Sequence, residues 1–502
     1  MTAHLKLHHH SPGRNLKETF EYLILSFVLA FMLKTFILEA FIIPTGSMAN
    51  TLNGAHFHIS CHACAHQFNY NYKSELTPLP TTPIPVIATR LNALLPPICP
   101  LCGTKVDKDA VLPVFAGDRV FVLKHLYGFI SPAIWDVIVF KNPTNPLENY
   151  IKRLIGTPGD KVTIIDGDIY INDQIQTKPN HIQNSLWIPI YDSRHQLTDA
   201  TNIHKAWLPP FNPTKNDSNW FYQGDNRYLR FTDNDLPDGQ VATIRFNTDR
   251  LKLGSHCFLD YNGPKVDLLP YASDYKVEAT LVPSTLQALC SFVFEKYQRA
   301  YQGDILASGK VIIRDLTSNT VLLQATIRPL QIDQDNDVAF SILDHQLIIN
   351  VNGETHRYSG ANDAENWGYD PSQPRRFHSA FNISGANGDF TLKGVKLFRD
   401  THYTYNLEGT NHKALGSPMN PLLSRLKKDE YYVLGDNSPA SNDSRFWNAP
   451  GYGNGKEAFR TGIVPKDYLI GRAFMVFWPS KTVKYYDFRD NLPNLMDIRI
   501  LH

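Results

Sequence analysis

Apolar residues crowd the chain from Phe20 to Ile43, interrupted only by Glu21, Lys34, Glu39 and a few small polar residues. The uncharged run Tyr22–Leu33 is twelve residues, and a helix needs about 20 to cross a bilayer. The span therefore has to include Lys34, whose long stem can reach the far interface. This predicts a helix from Lys17 to about Leu38 within a transmembrane segment, 17–40, preceded by a cytoplasmic tail, 1–16. Residues 53–116 lose that density, carry the Pro-rich run TPLPTTPIPV, and are expected to hold little regular structure. From Arg119 the pattern becomes β-branched: Arg119–Leu123, Asp136–Phe140 and Tyr150–Ile155 predict buried strands. Lys161–Ile171 predicts a hairpin turning at Asp166–Gly167.

Beyond about residue 190 long loops alternate with strands. The clearest are Lys310–Arg314, Val321–Ile327, Val338–Leu343 and Gln346–Val351, with Asp344–His345 and Asn352–Gly353 as turns. Ser284–Arg299 shows apolar residues at three- and four-residue spacing and predicts a helix. Glu430–Leu434 and Ile463–Trp478 are strand-like again. The fold class expected is mainly β: an N-terminal transmembrane helix, a β-rich core built from 41–52, 117–190 and 426–502, and two insertions. These are the cysteine-bearing segment 53–116 and a β-sandwich-like domain at 191–425.

Composition changes this picture little. The chain has 502 residues, too many for one ordinary core, and is 43% apolar, which excludes a disordered chain. With 49 basic against 48 acidic residues there is no global field for nucleic acid. Lys6, Arg14 and Lys17 precede the apolar span, so the positive-inside rule puts the N-terminus in the cytoplasm and everything after Leu38 outside. A cleaved secretory signal is the alternative, because Ser47-Met48-Ala49 would pass as a cleavage site.

Cys61 with Cys64, and Cys99 with Cys102, form two C-x-x-C pairs, while Cys257 and Cys290 stand alone. Two such pairs suit a structural zinc held by four thiolates, and disulfides are the alternative. Among the nearby His56, His58, His62 and His66, one could replace a thiolate.

Chemistry concentrates in three short runs: Pro44-Thr-Gly-Ser-Met48, Tyr150-Ile-Lys-Arg153 and Gly435 to Arg445. A serine hydroxyl needs a proton acceptor, and a lysine can serve if burial lowers its pKa. Lys152 sits in an apolar strand that sends Arg153 to the opposite face. None of the 19 histidines lies in a recognisable triad context.

In combination these runs resemble the type I signal peptidases, membrane-bound Ser-Lys proteases. The matching residues are Ile43-Pro-Thr-Gly-Ser-Met48 with Thr51-Leu52, Gly117-Asp118, Tyr150-Ile-Lys-Arg-Leu-Ile-Gly156 with Pro158-Gly-Asp160, Leu434-Gly-Asp-Asn437 with Ser441 and Asp443-Ser-Arg445, and Val464-Pro465 with Ile470-Gly-Arg472. The resemblance implies that Ser47 is the nucleophile and Lys152 the general base. It implies an oxyanion hole from the Ser47 N–H and the Thr45 hydroxyl, with Ser441 orienting Lys152. Arg153, Asp436, Asp443 and Arg445 look like the supporting charged residues, and Phe41 and Ile43 are candidates for the substrate pocket.

The family's substrates are the signal peptides of exported preproteins, with small residues at the first and third positions before the cut. No cofactor is implied for catalysis. The implied setting is the bacterial cytoplasmic membrane, with a single pass, an extracytoplasmic catalytic domain, and the lipid bilayer and translocation machinery as partners. Asn50, Ser438-Pro439 and Asn448 depart from the family's usual residues. A second reading is a membrane-tethered binding or adaptor protein that uses the sandwich and keeps a vestigial peptidase core.

Overall fold

The computed structural model describes residues 12–32, 34, 37–72, 88–90, 97–107, 110–195, 210–211, 219–224, 227–234, 236–237, 239–256, 261–262, 270–361, 366–370, 379–405, 414–418, 420–422, 424–451, 458–480 and 497–501. The Pro-rich run and Cys257 lie outside them. The protein is mainly β, as the alternation of apolar residues predicts.

One sheet positions the three chemistry-bearing runs of the sequence. Its strands run in the order Leu38–Ile42, Arg119–Lys124, Leu469–Trp478, Val137–Lys141, Asn149–Gly156, Glu430–Leu434 and Val464–Pro465, with Arg499–Ile500 beside Leu469–Trp478. The chain thus leaves this sheet for the large insertion after Asn149–Gly156 and returns to its flank at Glu430. Val120, Val122, Val139, Ile151 and Val476 pack beneath it with Ile43, Met48 and Leu52. Each such fully buried aliphatic side chain contributes about 1.5–3 kcal/mol relative to exposure, so the loop carrying Ser47 is anchored by its own apolar residues. A smaller sheet of Val162–Ile165, Asp168–Ile171 and Gln174–Ile175 lies alongside, with Asp166–Gly167 at the expected turn.

The large insertion is two facing antiparallel sheets. The larger contains Tyr275–Pro283, Asn336–Leu343, Gln346–Val351 and Phe390–Arg399, and the other contains Phe381–Ala386, Leu289–Lys296, Arg299–Leu306 and Lys310–Asp315. Phe292, Phe294, Phe340, Ile383 and Leu392 fill the space between them. Beyond its last strand, Tyr403, Leu422 and Leu426 pack on Val162 and Ile164 of the small sheet.

Three expectations change. Ser284–Arg299 is no helix: Leu289–Lys296 is a central strand, paired on both sides and buried across Cys290 to Phe294. A strand covered on both faces has no polar alternation, and its apolar run imitates helical spacing. Residues 53–116 are also more regular than expected, with a sheet of Gln67–Asn71, His56–Ser60, Val111–Phe115 and Ala88–Arg90.

The N-terminal helix spans Pro12–Met32, and Leu38–Ile42 is already a strand of the core. Backbone pairing with Arg119–Lys124 claims the residues that the sequence reading assigns to the end of the helix. Among the described residues no helix is long and apolar enough to cross a membrane. Leu33, Thr35 and Phe36, which the expected span also needs, lie outside them.

Candidate functional site

The loop after Leu38–Ile42 is held at both ends before it can present a serine. Ile43 N–H donates to the Asp118 carbonyl at 2.9 Å. The Asp118 carboxylate accepts the Asn53 and Ser480 N–H groups at 2.9 and 2.7 Å and pairs with Arg499, which also donates to the Thr51 carbonyl. Between these ties Gly46–Met48 forms a single 3-10 turn. Met48 and Leu52 turn inward and are fully buried, leaving Ser47 half-buried and Thr45 exposed.

Lys152 lies mid-strand in Asn149–Gly156, opposite Ile138, and is 4% exposed. Its Nζ lies 2.5 Å from Ser47 Oγ, and the Tyr150 ring centroid is 5.5 Å away. Burial pulls the lysine pKa down to about 8, although Asp443 and Asp436 oppose the shift. Burial is the largest effect and the Arg445 charge works with it, so the two carboxylates do not reverse the shift; each of them is paired with an arginine. Asp436 takes both the Nε and Nη2 of Arg153, at 2.8 and 2.6 Å. Asp443 takes the Nε and Nη2 of Arg445, at 2.8 and 2.7 Å, together with the Gly435 N–H. Arg153 also donates to the Trp135 carbonyl, and Arg445 to the Ser438 and Thr404 carbonyls. Such two-pronged pairs set backbone position as well as neutralising charge.

Ser441 lies fully buried, and its Oγ makes no hydrogen bond among the described residues. The expected bond to Lys152 is therefore not formed. The hydroxyl instead lies against Gly435, where a Cβ would come within 2.1 Å of Ser441 Oγ and 2.5 Å of the Ser47 carbonyl. Only glycine fits between them. The Thr45 hydroxyl does not cap the 3-10 turn, so it is not committed to that role. Phe41 is half-buried and paired with Val120. Ile43 is 2% exposed and packs in the core with Met48 and Leu52.

Asn437 had no role assigned from the sequence. Its Nδ2 donates to the Gly46 carbonyl at 2.8 Å and its N–H to the Ser47 carbonyl at 3.1 Å. Its neighbours in sequence suggest a turn, which hides this role. Asp118 escaped for a similar reason, since a lone acid before a strand says nothing about the amides it collects.

Away from this site, the Sγ atoms of Cys61, Cys64, Cys99 and Cys102 all lie within 4.8 Å of one another. Cys61–Cys102 is 3.5 Å and Cys64–Cys99 is 3.7 Å. A zinc ion with four sulfurs at about 2.3 Å places them about 3.8 Å apart, so the set fits a tetrahedral ion. No histidine joins this group among the described residues: His56 and His58 bond Gly54 and Asn69, and His66 packs on Phe68. Four buried carboxylates, Asp168, Asp274, Asp344 and Asp400, also converge. Lys178 and Lys296 occupy that cluster as its cations.

The family described as "Signal peptidase, peptidase S26" matches residues 106–230 and 344–478, which include Lys152 and Ser441 and begin after Ser47. A protein of Rickettsia bellii named "Signal peptidase I" is 26% identical over 223 residues, covering 42% of this chain and 61% of its own length. Another of that name from Rickettsia massiliae is 26% identical over 231 residues, covering 45% of this chain and 71% of its own. Among solved structures, the carbohydrate binding module CBM66 from Bacillus subtilis covers 35% of this chain and 88% of its own, at 8% identity and a TM-score of 0.23.

Proposed function

The chain belongs to the peptidase S26 family of signal peptidases, and from that premise we propose that it is a serine endopeptidase that removes N-terminal signal peptides from exported preproteins. The observation that carries the proposal is the 2.5 Å contact between Ser47 Oγ and a buried Lys152 whose pKa is pulled down to about 8. A neutral amine at that distance can take the hydroxyl proton as Ser47 Oγ attacks the scissile carbonyl. The charged lysine then returns the proton to the leaving amine, and water releases the acyl group by the same route. Negative charge developing on the carbonyl oxygen would meet the Ser47 N–H and the Thr45 hydroxyl. Arg153–Asp436 and Arg445–Asp443 keep the surrounding carboxylates occupied, so that none of them fixes the proton on Lys152.

Membrane attachment is part of the proposal. Phe20, Leu23, Ile24, Leu25, Phe27, Val28, Leu29, Phe31 and Met32 all stand exposed around the N-terminal helix. Apolar residues exposed on every side of a helix suit lipid better than water. That helix comes before Ser47, with the Leu38–Ile42 strand between them, and would hold the site near the bilayer surface, where signal peptides are cut. A structural zinc in the four-thiol cluster completes the reading: Cys61, Cys64, Cys99 and Cys102 would hold it and brace the sheet that contains His56–Ser60. Metal analysis with a thiol count tests this, and absence of metal with four blocked thiols rejects it.

Cleavage of a synthetic signal peptide by the wild type and by Ser47→Ala tests the function. The wild type should cut after a small residue and Ser47→Ala should be inactive; equal cleavage by both would refute the proposed nucleophile. An intact Ser47–Lys152 contact favours the enzyme over the adaptor reading.

A further inference from the structure

The sandwich insertion sends one turn back to the catalytic loop. Its Tyr261 ring covers Gly46 so closely that a Cβ there would come within 2.2 Å of a ring carbon. The Tyr261 carbonyl takes the N–H of Asn71, tying the same turn to the cysteine-bearing insertion at 2.9 Å. The next residue, Asn262, faces Asn437 in a reciprocal amide pair. Asn262 Nδ2 donates to Asn437 Oδ1 at 2.6 Å, and Asn437 Nδ2 donates to Asn262 Oδ1 at 2.9 Å. Asn437 Nδ2 has a second proton, which goes to the Gly46 carbonyl at 2.8 Å.

The Gly46 carbonyl and the Ser47 N–H are opposite ends of one planar peptide group. Fixing the carbonyl from behind therefore fixes the direction of the N–H in front. The Asn437 N–H does the same for the following peptide group through the Ser47 carbonyl, at 3.1 Å. An asparagine amide is nearly symmetric in shape, and turned over it would point Oδ1 at the Gly46 carbonyl, oxygen against oxygen. The pairing with Asn262 holds the plane of the Asn437 amide, and the Gly46 carbonyl accepts only from the orientation that donates.

We propose that Asn262, supplied by the insertion, is a positioning residue that acts through Asn437 to aim the Ser47 N–H at the oxyanion. This rests on the peptidase reading of Ser47. It gives the insertion a role in the chemistry: the catalytic loop is incomplete without the Tyr261–Asn262 turn.

Two variants of the full chain test it. Asn262→Leu keeps the branched shape and removes both amide bonds. Asn262→Asp keeps an acceptor for Asn437 Nδ2 and loses the donor. On a synthetic signal peptide, kcat should fall about tenfold in Asn262→Leu with KM within about twofold, and by less in Asn262→Asp, because a misaimed oxyanion donor acts on the transition state alone. A peptide boronate, whose tetrahedral adduct on Ser47 Oγ places an oxygen in the oxyanion position, should lose affinity in the same order while product peptide binds as before. Unchanged kcat and boronate affinity in Asn262→Leu, with cleavage still abolished by Ser47→Ala, would overturn the inference and spare the peptidase reading. A fall in kcat matched by lower thermal stability, with boronate affinity intact, would likewise overturn it, as a purely structural effect. No cleavage by the wild type would overturn both.

Discussion

Among the described residues three lysines are buried, and they divide by what faces the ammonium. Lys178 lies 2.5 Å from Asp344 and 2.8 Å from Asp400, and Lys296 pairs with Asp274 and, at 3.7 Å, with Asp168. Burial works against both charges, but the carboxylates prevail and hold both lysines above the ordinary pKa. Lys152 is equally enclosed, has no ion pair among the described residues, and is pulled down to about 8. Burial alone does not make a base. The neighbouring acids must also be occupied, as Asp436 and Asp443 are by Arg153 and Arg445. One fold thus contains lysines that brace it and a lysine free to lose its proton.

The comparison can be broken most sharply at Lys152 itself. Lys152→Met should lower kcat/KM by about 10²–10⁴-fold, the usual contribution of a general base, while circular dichroism and thermal unfolding stay near those of the wild type. Retained cleavage would remove the base. At Lys178 the expectation inverts. Lys178→Met leaves Asp344 and Asp400 buried without their cation and should cost about 3–5 kcal/mol of stability, read by chemical denaturation. Where the variant remains folded, its kcat should be unchanged. A smaller effect is expected at Ser441, the neutral hydroxyl beside the Gly435 turn. Ser441→Ala should leave kcat near that of the wild type, because the hydroxyl makes no bond to Lys152, with stability within about 1 kcal/mol because it removes an unbonded buried group. An unchanged kcat would leave Ser441 a packing residue against Gly435.

Much of the β architecture was legible because half-buried strands alternate and their turns carry Asp-Gly and Asn-Gly pairs. Leu289–Lys296 was misread because both of its faces are covered. The sheet between His56 and Phe115 was hidden by proline and cysteine content that resembles irregular chain. Ser47 and Lys152 stood out because three short runs occur in a fixed order. Asn262 could not stand out: its importance comes from a contact with Asn437, 175 residues away. The charged residues of the Gly435–Arg445 loop were identified as supports, but which acid pairs with which arginine is a matter of side-chain geometry.

The most direct test of a neutral Lys152 is the pH dependence of kcat/KM on a signal peptide. Below its pKa the amine is protonated and cannot accept the Ser47 proton, so the rate should rise about tenfold per pH unit and level off. The bend should fall near pH 8, the value to which burial pulls Lys152. A bend near 6 to 7, the range of an ordinary histidine, or a rate still climbing beyond pH 10 as for an ordinary lysine, would contradict Lys152 as the base.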